Sequence, residues 1–236
     1  MILIDTIYQK VLALANKEQR GYITPQEFNL LADKAQMDIY ANYFHNLKMA
    51  YHKPTATQIG IAGDEMEMLQ AKLHPFKTNT VFTQVANDAS ASLPFQLYFI
   101  DVLYQNNNEV AELTKKEIAY TENNPLLRAT TNRMVYVREH NDGTNNVITM
   151  YPTPVVDTEF DIHYYRIPST PMWTYVVVNS KPLFNNQNSI NFELHISEEE
   201  RLVTRILELS GLVIRSEELA QAALVDKGNT KQEQNS

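Results

Sequence analysis

Met134-Val135-Tyr136-Val137-Arg138-Glu139 and Val147-Ile148-Thr149-Met150-Tyr151 are two β-prone runs, joined through Asn141-Asp142-Gly143-Thr144-Asn145-Asn146. Val, Ile and Tyr favour a pleated, half-buried surface. Asp-Gly between two such runs is a hairpin signal, because both residues tolerate the positive φ of a tight turn. The reading is therefore antiparallel pairing of 134–139 with 147–151. A third run follows at 159–166, Glu-Phe-Asp-Ile-His-Tyr-Tyr-Arg. Upstream, 80–85 and 95–103 have the same character, with a small, polar loop at 87–92 between them. Further strands are expected near 173–178 and 190–195. Prolines at 152, 154, 168, 171 and 182 confine these strands to short lengths and edges.

Both flanks change period. Residues 2–16 place Ile4, Ile7, Tyr8, Val11, Leu12 and Leu14 on a helical stripe. Thr24-Pro25-Gln26-Glu27 is a helix start: Thr24 caps, Pro25 suits the first turn, and Glu27 reaches back to close a capping box. The helix that follows carries Phe28, Leu31, Ala35, Ile39, Tyr40, Tyr43 and Phe44, and is expected to run to about Tyr51, before Pro54. A shorter helix is expected from Asp64 to Leu73, and another from Glu109 to Tyr120, after a turn at Asn106-Asn107-Asn108. Ser197-Glu198-Glu199-Glu200 reads as a second capping box ahead of Leu202, Val203, Ile206, Leu207, Leu209 and Val213. A last helix starts at Ser216, stops at Gly228 and leaves a polar tail. The fold class is α+β: N-terminal helices in 1–76, a mostly antiparallel β-rich part in 77–196, C-terminal helices in 197–228 packing with the N-terminal part, and a flexible tail in 229–236.

Composition excludes several chemistries. The 236 residues contain no cysteine, so disulfides, thiolate metal sites and cysteine nucleophiles are ruled out. Only six glycines are present, and neither G-x-x-x-x-G-K nor G-x-G-x-x-G occurs. The net charge of −8 argues against a broad nucleic-acid footprint, which needs clustered Lys and Arg. No run approaches the ~20 apolar residues of a membrane span. Met1-Ile2-Leu3-Ile4-Asp5 lacks the basic region of a signal peptide, so the expected site of synthesis is the cytoplasm.

Few constellations invite chemistry. Gly21, Ile23 and Glu27 mimic the second half of an EF-hand loop, but its earlier ligand positions would be Asn16, Glu18 and Arg20, and arginine places a cation where an oxygen ligand belongs. The expectation there is a helix–turn–helix corner. His45, His52, His74, His140, His163 and His195 never fall at i, i+4 spacing, so no metal is expected. Carboxylates pair in sequence at Glu65/Glu67, Glu117/Glu122 and Asp157/Glu159/Asp161. Acid–base catalysis would need two of them in unlike environments within a cleft. No cofactor or catalytic residue is assigned. Among the 13 tyrosines, Tyr164 and Tyr165 are adjacent in a strand, so one is expected in the core and the other on the surface. Exposed aromatics are enriched at interfaces, which makes Tyr151, Tyr164, Tyr165 and Trp173 candidate subunit-interface residues, beside the plainer reading of β-propensity.

Three stretches look like a known group. Val147-Ile148-Thr149-Met150-Tyr151-Pro152-Thr153-Pro154, followed by Phe160-Asp161-Ile162-His163-Tyr164-Tyr165-Arg166-Ile167-Pro168, resembles the head-to-tail connector and neck-ring proteins of tailed bacteriophages. Val11-Leu12-Ala13-Leu14-Ala15-Asn16-Lys17 with Gly21-Tyr22-Ile23-Thr24-Pro25-Gln26-Glu27-Phe28 is similar to the start of structural proteins of short-tailed phages, including the crAss-like group. The helices from Ser197 resemble the C-terminal part of such adaptors. The resemblance implies a virion protein of the neck or tail: a ring of about 12 copies below the portal protein, contacting further neck or tail proteins, with DNA only as cargo through the lumen. It also implies that the C-terminal segment docks on the portal, here through Leu219, Leu224, Val225, Lys227, Asn229 and Lys231. An acidic chain suits a conduit that must not grip phosphate. The competing readings are another virion component, such as a tail-hub or capsid-associated protein, and a carboxylate-based hydrolase.

Overall fold

The computed structural model describes residues 1–17, 23–52, 59–140, 146–179 and 181–211. The fold is α+β, with mostly antiparallel sheets and helices toward both ends. The chain divides into two compact units, one of residues 1–62 with those from 169 onward, the other of residues 63–168. The division therefore falls at 62/63 and 168/169, not at the expected 76/77 and 196/197. The reason is pairing. Residues 169–194 make no ladder with the large sheets; Phe192 instead pairs with Ile2, and Ile190 with Met172.

In the first unit, α1 (Ile4–Lys17) buries Ile4, Ile7, Tyr8, Val11 and Ala15. Leu14 points away and is part-exposed. α2 (Pro25–His52) starts at the expected box: Glu27 Oε2 accepts from the Thr24 N–H at 3.0 Å, and the Glu27 N–H donates to Thr24 Oγ1 at 3.3 Å. Its buried stripe is Phe28, Ala32, Ala35, Gln36, Ile39, Tyr40 and Tyr43. Gln36 is fully buried, and its amide is satisfied at both ends. Nε2 donates to Ser169 O (2.9 Å), and Oε1 accepts from Glu193 N–H (3.3 Å). Trp173, only 2 % exposed, stacks between Tyr8 (centroids 4.3 Å), Tyr175 (5.7 Å) and Phe184 (5.8 Å). The hairpin β9 (Tyr175–Val178) and β10 (Lys181–Phe184) rises from it. β10 was not anticipated, and the strand expected at 190–195 is reduced to the two isolated pairings above.

The C-terminal helix differs at its start. A single 3-10 turn (Ile196–Glu198) precedes α5 (Glu199–Leu209), and the capping side chain is His195, whose Nδ1 accepts from Ser197 N–H at 3.2 Å. Ser197 closes no box, because Glu198 is buried beside Tyr43 and the helix proper begins one residue later. α5 lays Leu202, Val203, Ile206 and Leu207 on α1 and α2. The stretch from 212 onward, including the helix expected at Ser216, lies outside the described residues.

The second unit takes up most of α3 (Ile59–Leu73), from residue 63 on, which leads through a 3-10 turn (His74–Phe76) into two four-stranded sheets. The strands are β1 (Lys77–Gln84), β2 (Ser90–Ser92), β3 (Leu97–Gln105), β4 (Asn108–Glu109), β5 (Ala111–Glu112), β6 (Val135–His140), β7 (Asn146–Tyr151) and β8 (Thr158–Arg166). One sheet has the order β1-β8-β3-β4, the other β2-β7-β6-β5; only β5–β6 is parallel. The expected hairpin is present as β6–β7. A shared core joins Ala91, Leu97, Ile100, Leu103, Tyr136, Ile148, Met150, Phe160, Ile162 and Tyr164. β2 occupies part of the expected loop at 87–92.

The expected helix from Glu109 begins later, as α4 (Lys115–Glu122). Asn106 and Asn107 both take positive φ, which makes a two-residue hairpin turn into β4. The chain then stays extended until Thr114, whose capping box with Glu117 sets the helix start. α4 packs Ile118 on Val135 and Val137, with Tyr151 half-buried beside them.

Candidate functional site

β8 is a central strand, and its alternation decides what the molecule presents. Phe160, Ile162 and Tyr164 point into the core, so Glu159, Asp161, His163 and Tyr165 lie on the opposite face. Register adds neighbours there. Val81 of β1 pairs with Asp161; Phe99, Val102 and Tyr104 of β3 pair with Tyr165, His163 and Asp161. His163 Nε2 lies 3.2 Å from Asp161 Oδ2, and the Tyr104 ring meets the His163 ring edge-on at 5.7 Å. Asp161 Oδ1 is buried and has no hydrogen-bond partner among the described residues. Lys77 Nζ binds Asp101 Oδ2 at 2.6 Å and sits 6.0 Å above the Tyr165 ring. The hydrogen bond to Asp101 holds the Lys77 ammonium above its usual range. Val81, Tyr104, Asn106, Asn107, Glu159, Asp161 and His163 surround a cavity of about 480 Å³. Val81 (57 % exposed) and Phe99 (48 %) give this sheet face an apolar surface.

The second surface is the β9–β10 hairpin. Cross-strand register pairs Val176 with Leu183 and Val178 with Lys181, so these four side chains share a face. The other face carries Tyr175 and Phe184, which stack on Trp173. Val176, Val178 and Leu183 therefore turn outward, each 44–53 % exposed. Lys181 is the one charged residue in 175–184, and it makes no ion pair among the described residues.

A third feature lies along α5. Arg205 bridges Asp38 (2.7 Å) and Glu208 (3.0 Å), and Arg201 reaches Glu198 (3.5 Å). These side chains border a cavity of about 460 Å³ with Asn42 and Thr204. Both guanidinium groups are already engaged by carboxylates, so the cavity offers no free cation. Burial, with the Glu198 carboxylate nearby, pushes the Tyr43 phenol well up.

Neither a protein-family model nor a curated protein matches this chain.

The residues singled out in the sequence fall in different places. Trp173, Tyr164 and Tyr165 are buried inside the chain, so they have almost no area to offer a neighbouring copy. Both tyrosines of the pair are covered because β8 is flanked on each side: Tyr164 faces the core, and Tyr165 is shielded by Phe99 and Lys77. Tyr151 is half-buried under α4. Leu219, Leu224, Val225, Lys227, Asn229 and Lys231 lie outside the described residues, as do Glu18, Arg20 and Gly21 of the EF-hand-like stretch.

The carboxylates also separate. Glu117 is held in the α4 cap, and Asp157 Oδ1 accepts from Ala86 N–H at 2.9 Å. Glu159 shares one cavity with Asp161 and another with Asp157. Among the described residues no three His, Asp or Glu side chains converge as a metal-binding group. No helix among them is long and apolar enough to cross a membrane.

Val176, Val178, Leu183, Lys181 and Val81 were missed as surface residues. One signal was available: Val176-Val177-Val178 is an unbroken apolar run in a short strand, and both faces of a two-stranded ribbon cannot be buried by its own chain.

Proposed function

We propose that this chain is a structural virion subunit, a neck-ring adaptor that joins portal to tail and lets DNA pass through its lumen. The observation that carries this reading is the presence of two unlike apolar surfaces on one chain. The free hairpin face of Val176, Val178 and Leu183 is a two-stranded ribbon; the sheet face carries exposed Val81 and Phe99 on either side of β8, whose Glu159, Asp161 and His163 lie on that same face. A ring is built from heterologous contacts, in which one patch meets a different patch on the next copy. Exposed apolar patches rimmed by polar residues are among the marks of protein–protein contacts. The sequence resemblance to connector proteins supplies the setting, with the segment from Ser216 to Ser236 as the portal-facing part.

The hydrolase reading draws on Glu159 and Asp161, which share a cavity with His163. They are two residues apart on one strand face, and no Ser, Thr, Cys or Lys nucleophile is among the residues that line the cavity. The ring reading accounts for more of the exposed surface.

The test is cryo-electron microscopy of the intact particle, with copy number read at the neck. About a dozen copies between portal and tail are expected. Absence from the particle, or a position on the capsid shell, overturns the reading.

A further inference from the structure

The geometry points to one specific contact between copies: the β9–β10 hairpin of one chain docks on the open β1-β8-β3 face of a second copy of this chain, with Lys181 entering the cavity beside Glu159 and Asp161. This rests on the subunit reading above and names the surfaces that would join.

Three observations select this occupant over any other apolar partner. The first is charge. Lys181 is the lone charge on the hairpin and is unpaired among the described residues. Glu159 makes no ion pair among them either, and Asp161 Oδ1 is buried without a hydrogen-bond partner. Asp161 Oδ1 has no accessible surface, so an ammonium ion in the cavity would meet the Glu159 carboxylate rather than that oxygen.

The second is placement. Lys181 stands on the same hairpin face as Val176, Val178 and Leu183. The two carboxylates stand on the same sheet face as Val81, and Phe99 lies farther along it. Seating the ammonium therefore lays apolar side chains against apolar side chains, in one approach. A buried apolar centre ringed by a paired charge is the usual anatomy of a specific interface.

The third is presentation. The hairpin is clamped at its base, where Tyr175 and Phe184 stack on Trp173, and Thr174 Oγ1 donates to Asn185 O at 2.7 Å. A ribbon already ordered in its binding shape loses little entropy on docking. The two surfaces are different, so each copy can give a hairpin to one neighbour and receive one from another. That is the head-to-tail arrangement that closes into rings.

The chain has no cysteine, which allows a direct test on the full-length protein. Val81→Cys and Leu183→Cys are introduced together, and chains of natural and heavy nitrogen are mixed and oxidised over a concentration series. Mass spectrometry then reads which thiols join, and in which chains. The expected product is a mixed-isotope disulfide between positions 81 and 183. Adding Lys181→Glu should lower its yield about tenfold, and adding Glu159→Lys to that variant should restore it, since like charges at a docking site repel. Disulfides confined to one chain, links of 81 to 81 or 183 to 183, or no link at any concentration overturn the contact. Sedimentation of the unmodified chain keeps the two failures apart. Oligomers that form without the 81–183 link overturn this interface and leave the ring reading standing; loss of the ring reading itself is decided by copy number in the particle.

Discussion

The Trp173 indole N–H donates to Asp5 Oδ1 at 2.9 Å, joining residues 168 positions apart. Asn29 completes the clamp: its Oδ1 accepts from Trp173 N–H (2.8 Å) and its Nδ2 donates to Trp173 O (3.1 Å). One tryptophan thus holds α1, α2 and the base of the β9–β10 hairpin at once. Trp173→Ala should destabilise the protein by about 3–5 kcal/mol, the usual loss for a large core aromatic. Asp5→Ala should cost about 1–3 kcal/mol by stranding a buried indole donor. Urea unfolding followed by tryptophan fluorescence for Asp5→Ala, and by circular dichroism for Trp173→Ala, measures both. A Trp173→Ala variant as stable as the parent would show that the hairpin base is held by other contacts.

Gln36 plays a similar part with an amide instead of an indole. Gln36→Leu keeps the volume but leaves Ser169 O and Glu193 N–H without their bonds. The expected cost is about 1–3 kcal/mol. Hydrogen exchange should localise the effect, with the Glu193 amide losing protection ahead of the helices.

At alkaline pH the buried phenols set the limit. Burial, then the Glu112 carboxylate that accepts the Tyr136 hydroxyl hydrogen at 3.1 Å, push Tyr136 above the ordinary tyrosine value of about 10. The folded state favours the neutral phenol. Its contribution is complete below pH about 10 and is lost as pH rises toward the folded value. Stability measured from pH 9 upward should fall with pH in the parent and fall less steeply in Tyr136→Phe, with Tyr43 supplying the remaining slope. Parallel curves for the two proteins would contradict this.

At acid pH the caps respond in the opposite sense. Hydrogen bonds from the backbone and hydroxyl of Thr24 hold Glu27 below its usual value, and those of Thr114 do the same for Glu117. The support these carboxylates give is present above pH about 4.5 and is lost as pH falls through their lowered values. Glu27→Gln and Glu117→Gln should each flatten the acid limb of the stability curve. NMR titration of the Thr24 and Thr114 amides reports the two caps separately, and amides that do not move below pH 4.5 would contradict the assignment.

Much of the local structure was legible in the residues. The Thr24–Glu27 box, the 134–151 hairpin and the helical stripe of 2–16 are set by neighbours a few positions apart, and capping chemistry and side-chain period act at that range. The errors came where local signals competed. Residues 109–112 have helix-compatible composition, yet backbone bonds to β3 and β6 hold them extended. Ser197 could cap a helix, yet burial of Glu198 against α2 moved the start and gave the cap to His195.

By itself the sequence determined the α+β class, the acidic charge, the absence of thiol chemistry and the Thr24–Glu27 helix start, because each depends on composition or on short-range order. Only the tertiary structure decided which faces are covered. It buried Trp173, Tyr164 and Tyr165, which by residue type alone could have served an interface, and it left Val176, Val178 and Leu183 in the open. Exposure is a property of what packs against a side chain from far along the chain. No count of residue types contains it, and it is exposure that turns a valine from core into contact surface.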